Sequence, residues 1–168
     1  MNKQEVERQL STSYLFIDTI RSHMEIQPAS IRDLGALRRL ERACFDKDAW
    51  PLLDLMAVLT WPDVIRLKAV DHGEMIGFIA GDPRPSQGAV WIATIGVDPS
   101  YQRRGIGHEL LHACEEQAKL PRVKLTVRMS NDGALSLYRK AGYRIVDIWK
   151  KYYSDGEDGL VMEKILAR

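Results

Sequence analysis

The sequence predicts an α/β (α+β) domain with a mixed, mostly antiparallel central sheet and helices on both faces. Three observations predict it. Residues 65–70, 74–80 and 89–97 are apolar, β-branched runs with short links, and such sequential strands pair as an antiparallel meander. Beyond residue 105, apolar side chains recur at helical spacing and lead into an alternating run at 123–128. That run therefore returns by a helical crossover and lies parallel to 89–97. Two further strand-like runs, 143–149 and 160–165, flank a polar, glycine-containing turn and close the chain as a hairpin.

The 168 residues, 45% of them hydrophobic, suffice for one domain with a sizeable core. A formal net charge of +1 supplies no global field toward nucleic acid or membrane. The basic residues are dispersed, and no zinc-finger spacing or other metal-ligand pattern stands out. The N-terminus mixes Lys3, Glu5, Glu7 and Arg8 where a signal peptide would be apolar, and no run approaches the ~20 residues of a membrane span. Cys44 and Cys114 lie far apart in apolar helical patterns and read as reduced core thiols, which fits a cytoplasmic protein.

In chain order, Val6, Leu10, Tyr14, Ile17 and Ile20 share a helical stripe, so residues 1–23 form a helical extension set apart from a domain spanning 24–168. Residues 24–29 alternate as a strand, and Ser30 caps a helix with Asp33 three residues on. That helix turns Leu34, Leu37, Leu40 and Ala43 or Cys44 inward, with Arg38, Arg39, Glu41 and Arg42 largely outside. Residues 45–51 break it, and a short apolar helix follows at 52–59. Trp50 and Trp61 flank this second helix, either as walls of a substrate groove or as core plugs. Asp71-His72-Gly73 forms a hairpin turn, and residues 82–88 form a polar Pro/Gly loop. In the crossover helix Gly107, Leu110, Leu111, Cys114 and Ala118 share one face, while Glu115, Glu116 and Lys119 share the other. Asn131 or Asp132 caps a short helix, and Gly142 ends it.

Chemistry concentrates between the strand at 89–97 and the crossover helix. Asp98-Pro99 turns the chain, and Gln102-Arg103-Arg104-Gly105-Ile106-Gly107 carries two arginines and two glycines into the first helical turn. A helix start presents unpaired N–H groups and a positive dipole end, and glycines let a ligand approach the backbone, so the segment reads as a diphosphate site. His108-Glu109 follows Gly107 in place of Lys-Ser/Thr, which excludes a nucleotide-hydrolysing P-loop. Leu110 stands where a dinucleotide fingerprint needs its third glycine.

The remaining pattern, Gln-x-x-Gly-x-Gly after an apolar strand ending in Val97-Asp98-Pro99, resembles the acetyl-CoA loop of the GNAT N-acetyltransferase superfamily. Asn131, Ala134, Tyr138 and Gly142-Tyr143 are similar to its second block. The tail Tyr152-Tyr153-Ser154-Asp155-Gly156-Glu157-Asp158 is similar to the ending of its ribosomal-protein-alanine and protein N-terminal branch. The resemblance implies the GNAT fold, with its parallel strand pair splayed at the acetyl-CoA site. It further implies that backbone groups of Ile95 and Val97, around Gly96, hold the pantetheine arm. Arg103, Arg104, Gly105, Ile106, Gly107 and His108 would surround the pyrophosphate, and Asn131 would bond to the cofactor.

Tyr138 is the catalytic candidate, since a phenol of pKa ~10 can protonate a departing thiolate near ~8.5. Tyr152 and Tyr153 would line the acceptor groove. Where the branch commonly carries a Glu or His base, this chain has Thr126, and Glu157, Asp158 or a water chain would have to serve instead. An α-amine of pKa ~7.7–8.0 tolerates a missing base better than a lysine near ~10.4. The leading reading is acetyl transfer from acetyl-CoA to a protein or peptide N-terminus by direct attack in a ternary complex. A small-amine acetyltransferase and a catalytically weak acyl-CoA-binding module are the alternatives. The protein would act as a monomer or homodimer, without a direct nucleic-acid or membrane partner.

Overall fold

A computed structural model describes residues 24–45 and 48–167, so the extension expected at 1–23 lies outside the described residues. Seven strands form one sheet in the order β1-β2-β3-β4-β5-β7-β6. In chain order the elements are β1 (Glu25–Pro28), α1 (Leu34–Phe45), α2 (Leu52–Thr60), β2 (Ile65–Asp71), β3 (Glu74–Arg84) and β4 (Ala89–Val97). There follow α3 (Ile106–Gln117), β5 (Arg122–Arg128), α4 (Asp132–Lys140), β6 (Arg144–Trp149) and β7 (Gly159–Ile165). Neighbours run antiparallel except β4 and β5. The expected mixed sheet is therefore present, with its meander, parallel crossover and closing hairpin.

The parallel pair joins only from Ala89↔Arg122 to Trp91↔Lys124, and beyond that the two strands part. A bulge accompanies the parting. Ala80 pairs Thr94 but Gly81 pairs Ile92, which leaves Ala93 as the extra residue on β4. A bulge bends its strand and deepens the twist, which carries the second half of β4 away from β5. The V-shaped gap between them frames the candidate site.

Alternation along β3 divides the core. Phe78 and Ala80 face α1 and α2 with Leu37, Leu40, Leu55 and Leu59, whereas Ile79 faces α3 with Leu110, Leu111 and Cys114. Ile76 joins Ile79 because it is the extra residue of a bulge opposite β2, between Met75↔Val70 and Gly77↔Ala69, which shifts the alternation by one. Ser30 and Asp33 form the expected capping box, and Lys68 Nζ reaches Asp33 at 2.6 Å from β2.

Three expectations are corrected. The loop at 82–88 shrinks to a 3₁₀ turn, Pro85–Gln87, because β3 continues to Arg84. Pro83 is tolerated there because β2 pairs β3 no further than Gly81, which leaves this end of β3 as an edge with no donor missed. Glu41 points inward and is 3% exposed, because the sheet covers α1 on one flank and the Trp50 segment on the other. Glu115 is also buried. Tyr143 Oη donates to it at 2.9 Å and Lys164 Nζ at 2.6 Å, the partners a buried carboxylate requires. Cys44 and Cys114 are free thiols, as expected. Among the described residues, no helix is long and apolar enough to cross a membrane.

Candidate active site

The open edge of β4 follows from its pairing. Asp98 N–H donates to Ile76 O on β3 at 2.9 Å. Alternate residues of a strand turn their N–H and C=O to opposite sides, so Val97 and Ile95 turn theirs toward the gap. Ile95 lines a cavity of about 190 Å³ in that gap, with backbone groups available to an extended ligand. The carbonyl of Val97 is already engaged, by the Cys44 thiol at 3.3 Å and by Gln102 Nε2 at 3.1 Å. Only its N–H remains for a ligand, a narrower part than the sequence implied. At Gly96, a Cβ would stand 3.2 Å from Cys44 Sγ and from Phe45. That glycine serves the seating of α1 against the strand.

The loop into α3 passes through two left-handed residues, Arg103 (φ 61°) and Gly105 (φ 86°). A Cβ on Gly105 would meet no atom within 4 Å, so the space before the helix is open. The first-turn amides of Ile106, Gly107 and His108 have no partner within the helix and point toward that space. Gly107 sits against α4, where a Cβ would stand 3.3 Å from Leu137 Cδ2. Arg104 stacks on Tyr101 at 4.9 Å, while Arg103 and His108 are exposed on the same turn. Open space, helix-start amides and two arginines thus lie on one turn. Asn131 caps α4 by accepting from Ala134 N–H at 3.0 Å. Any bond it donates to a cofactor comes from Nδ2.

Tyr138 lies on α4, 5% exposed, in the wall of the 190 Å³ cavity with Thr126, Thr94 and Asn131. Burial, reinforced by Tyr153, pushes its hydroxyl well above the ordinary phenol range, so it is fully protonated at neutral pH. A second cavity of about 730 Å³ adjoins the first, and Asp48, Trp50, Ile92, Ala93, Thr126 and Tyr153 line both. Its remaining walls include Trp61, Trp91, Trp149 and Tyr152, with Asp54 and Asp82. Trp61 is 66% and Tyr152 50% exposed, so both present open faces to this cleft; Trp61 is therefore no core plug, whereas Trp50 lines the cleft and also packs against the core under α1 and α2.

Arg128, at the end of the alternating run of β5, organises the floor. Its Nε and Nη2 fork onto Asp48 at 2.7 and 2.8 Å, and its Nη1 meets Glu157 at 2.7 Å and Asp155 at 2.9 Å. The guanidinium stacks 3.9 Å from the Tyr153 ring centre. One side chain therefore ties the segment after α1 and the β6–β7 turn to the tip of β5. No sequence spacing announces it, because its partners lie 80 and about 30 positions away.

Two candidate bases are already engaged. Glu157 accepts from the Ser130 backbone at 2.7 Å as well as from Arg128, and these bonds hold its carboxyl below the usual range. Asp158 is held low by Lys150 and the Lys151 amide. A carboxylate so stabilised is a poor proton acceptor at neutral pH. Glu41 behaves oppositely. It lines the small cavity, and burial, only partly offset by the Trp50 backbone N–H, pushes it up to about 7. The helical pattern had assigned it to solvent.

Comparison with known proteins matches residues 34–143 to the acetyltransferase (GNAT) family. The N-alpha-acetyltransferase RimI of Mycobacterium tuberculosis is 36% identical over 121 residues, covering 70% of this chain and 76% of that protein. The N-terminal acetyltransferase B complex catalytic subunit NAA20 of Arabidopsis thaliana is 34% identical over 115 residues, 64% of this chain and 66% of that one. Among solved structures, the ribosomal-protein-S18-alanine N-acetyltransferase of Escherichia coli superposes with a TM-score of 0.77 at 25% identity, over 86% of this chain and 95% of that one.

Proposed function

The chain belongs to the GNAT acetyltransferase family and is an acetyl-CoA-dependent acyltransferase, and on that premise we propose that it acetylates the N-terminal α-amine of a protein or peptide. One observation carries the choice of acceptor. The cleft beyond Thr126 measures about 730 Å³, within the ~300–1,000 Å³ that hold drug-sized ligands. A lone small amine would leave most of it unfilled, whereas the first residues of a peptide would fill it against Trp61, Tyr152 and Tyr153. The names of the relatives point the same way.

Acetyl-CoA supplies an activated acetyl thioester. In this reading the amides of residues 105–108 and the Arg103 and Arg104 side chains hold its diphosphate, and Ile95, the Val97 N–H and Asn131 Nδ2 hold its arm. The thioester then lies in the gap beside Tyr138, near the junction with the acceptor cleft, so that reaction is assisted by proximity. Tyr138 is the donor to the departing sulphur. With its pKa raised above that of a thiol, it acts by hydrogen bonding and gives up its proton only as one arrives from the amine. Burial pushes the Cys44 thiol up to about 12, so it stays protonated and offers no covalent route. Direct attack by the amine follows.

The test is thioester consumption with peptides beginning in Ala, Ser or Met, beside polyamines and free amino acids. Turnover of peptides at kcat/KM at least about tenfold above any small amine is expected. Preference for a small amine would overturn the reading.

A further inference from the structure

The buried carboxyl of Glu41 has no part in the mechanism so far, and its position gives it one. It sits one helical turn before Cys44 on α1, 3% exposed, in the wall of the 190 Å³ cavity that Tyr138 closes from α4. Among the described residues no basic side chain pairs with it, and the Trp50 backbone N–H is the group that favours its charged form. A glutamine oxygen would suit that N–H equally well. A fully buried carboxyl without a cation partner costs stability, so a purely structural role gives no reason for the charge.

Asp48, the acidic residue lining both cavities, is forked by Arg128, and Glu157 and Asp158 are held by the partners described above. Asp82 is met by Arg84, and Asp54 lines the larger cleft but not the cavity that Tyr138 closes. Thr126 supplies only a hydroxyl. We propose that Glu41 is the proton acceptor of acetyl transfer, receiving the proton of the acceptor amine across the small cavity, directly or through one water. In that step one proton leaves the acceptor ammonium for a Glu41 oxygen. The freed nitrogen lone pair forms the C–N bond as the C–S bond breaks. The sulphur takes a proton from Tyr138, which is restored by the second proton of the nitrogen.

A carboxyl pushed up to about 7 is matched to this task at neutral pH. Asp48, Arg128, Tyr138 and Tyr153 face the same cavity, and Cys44 lies beside Glu41 on α1. Of these, Tyr138, Tyr153 and Cys44 are pushed upward, away from neutrality, and Arg128 stays charged.

The inference rests on acylation of an amine, and only the choice of a peptide as test acceptor rests on the α-amine reading. The experiment compares pH profiles of kcat/KM for wild type and Glu41→Gln with the best acceptor, peptide or small amine. In the wild type the acid limb should bend near pH 7. In the variant the rate should instead climb on toward the acceptor's own pKa, ~8 for an α-amine. The deficit at pH 7 should be at least roughly tenfold and shrink by pH 9. CoA affinity by calorimetry should be unchanged. A deficit constant across pH, or no deficit, overturns the proposal.

If Glu41→Gln does not fold, or no acceptor turns over, the ¹³C carboxyl resonance of Glu41 in the CoA-bound wild type decides. Titration near 7 supports the role, and titration near the ordinary ~4.3 overturns it. Activity on a small amine alone, with the predicted profile, would sink the α-amine reading and leave this one standing.

Discussion

Gly105→Ala isolates the helix-start amides from the rest of the site. The native φ of 86° lies in the left-handed region, where a Cβ costs about 1–2 kcal/mol. A stiffer unfolded chain returns about 0.4–1 kcal/mol of that. No atom lies within 4 Å of the new Cβ, so no clash adds to it. The net cost is about 1 kcal/mol, a Tm loss of roughly 2–4 °C for a chain of this size. CoA affinity should fall far more than this strain predicts, because the methyl group occupies the space the phosphates approach. Losing even one charge-assisted bond of about 1.5–3 kcal/mol weakens Kd by roughly tenfold or more.

Gly73→Ala is a matched control. Its φ of 83° and its empty surroundings are the same, but it lies in the β2–β3 turn. Calorimetric titration with CoA, beside thermal melts, should show equal Tm losses and a Kd change confined to Gly105→Ala. Wild-type affinity in both variants would refute phosphate binding at the start of α3.

Tyr138→Phe should keep CoA affinity and lower kcat about 30-fold, the equivalent of roughly 2 kcal/mol for a hydrogen bond to developing charge. An unchanged kcat, with chemistry rate-limiting, would remove Tyr138 from the reaction. Lys164→Met keeps the aliphatic stem but leaves Glu115 with Tyr143 alone. Urea unfolding should show a loss of about 2 kcal/mol, and a loss under about 0.5 would mean the buried carboxylate is satisfied otherwise. Burial works against the Asp33 carboxylate, yet Lys68 and the Ser30 N–H hold its pKa below the usual value. Its contribution is therefore full above the unfolded value of ~3.9 and is lost as pH falls through the lower native one. The stability gap between wild type and Asp33→Asn should be level from pH 5 to 8 and close in acid. A gap that persists at pH 2 would refute the assignment.

Local pattern alone determined the order of elements, the parallel crossover, the Ser30 cap, a cap at Asn131 or Asp132 and the glycine-arginine turn into α3. Each depends on residues within a few positions of one another, where periodicity, capping chemistry and φ preference act directly. The tertiary structure decided the rest. The bulge at Ala93 parts β4 from β5, and only pairing with β3 reveals it. Arg128 gathers carboxylates from two distant segments, and Gln102 and Cys44 claim the Val97 carbonyl. Glu41 reads as a surface residue until the sheet and the Trp50 segment cover both its flanks. Burial and charge pairing are sums over neighbours that the chain brings together from far apart. The ionisation of Glu41, Glu157 and Tyr138 could therefore not be read from their places in the sequence.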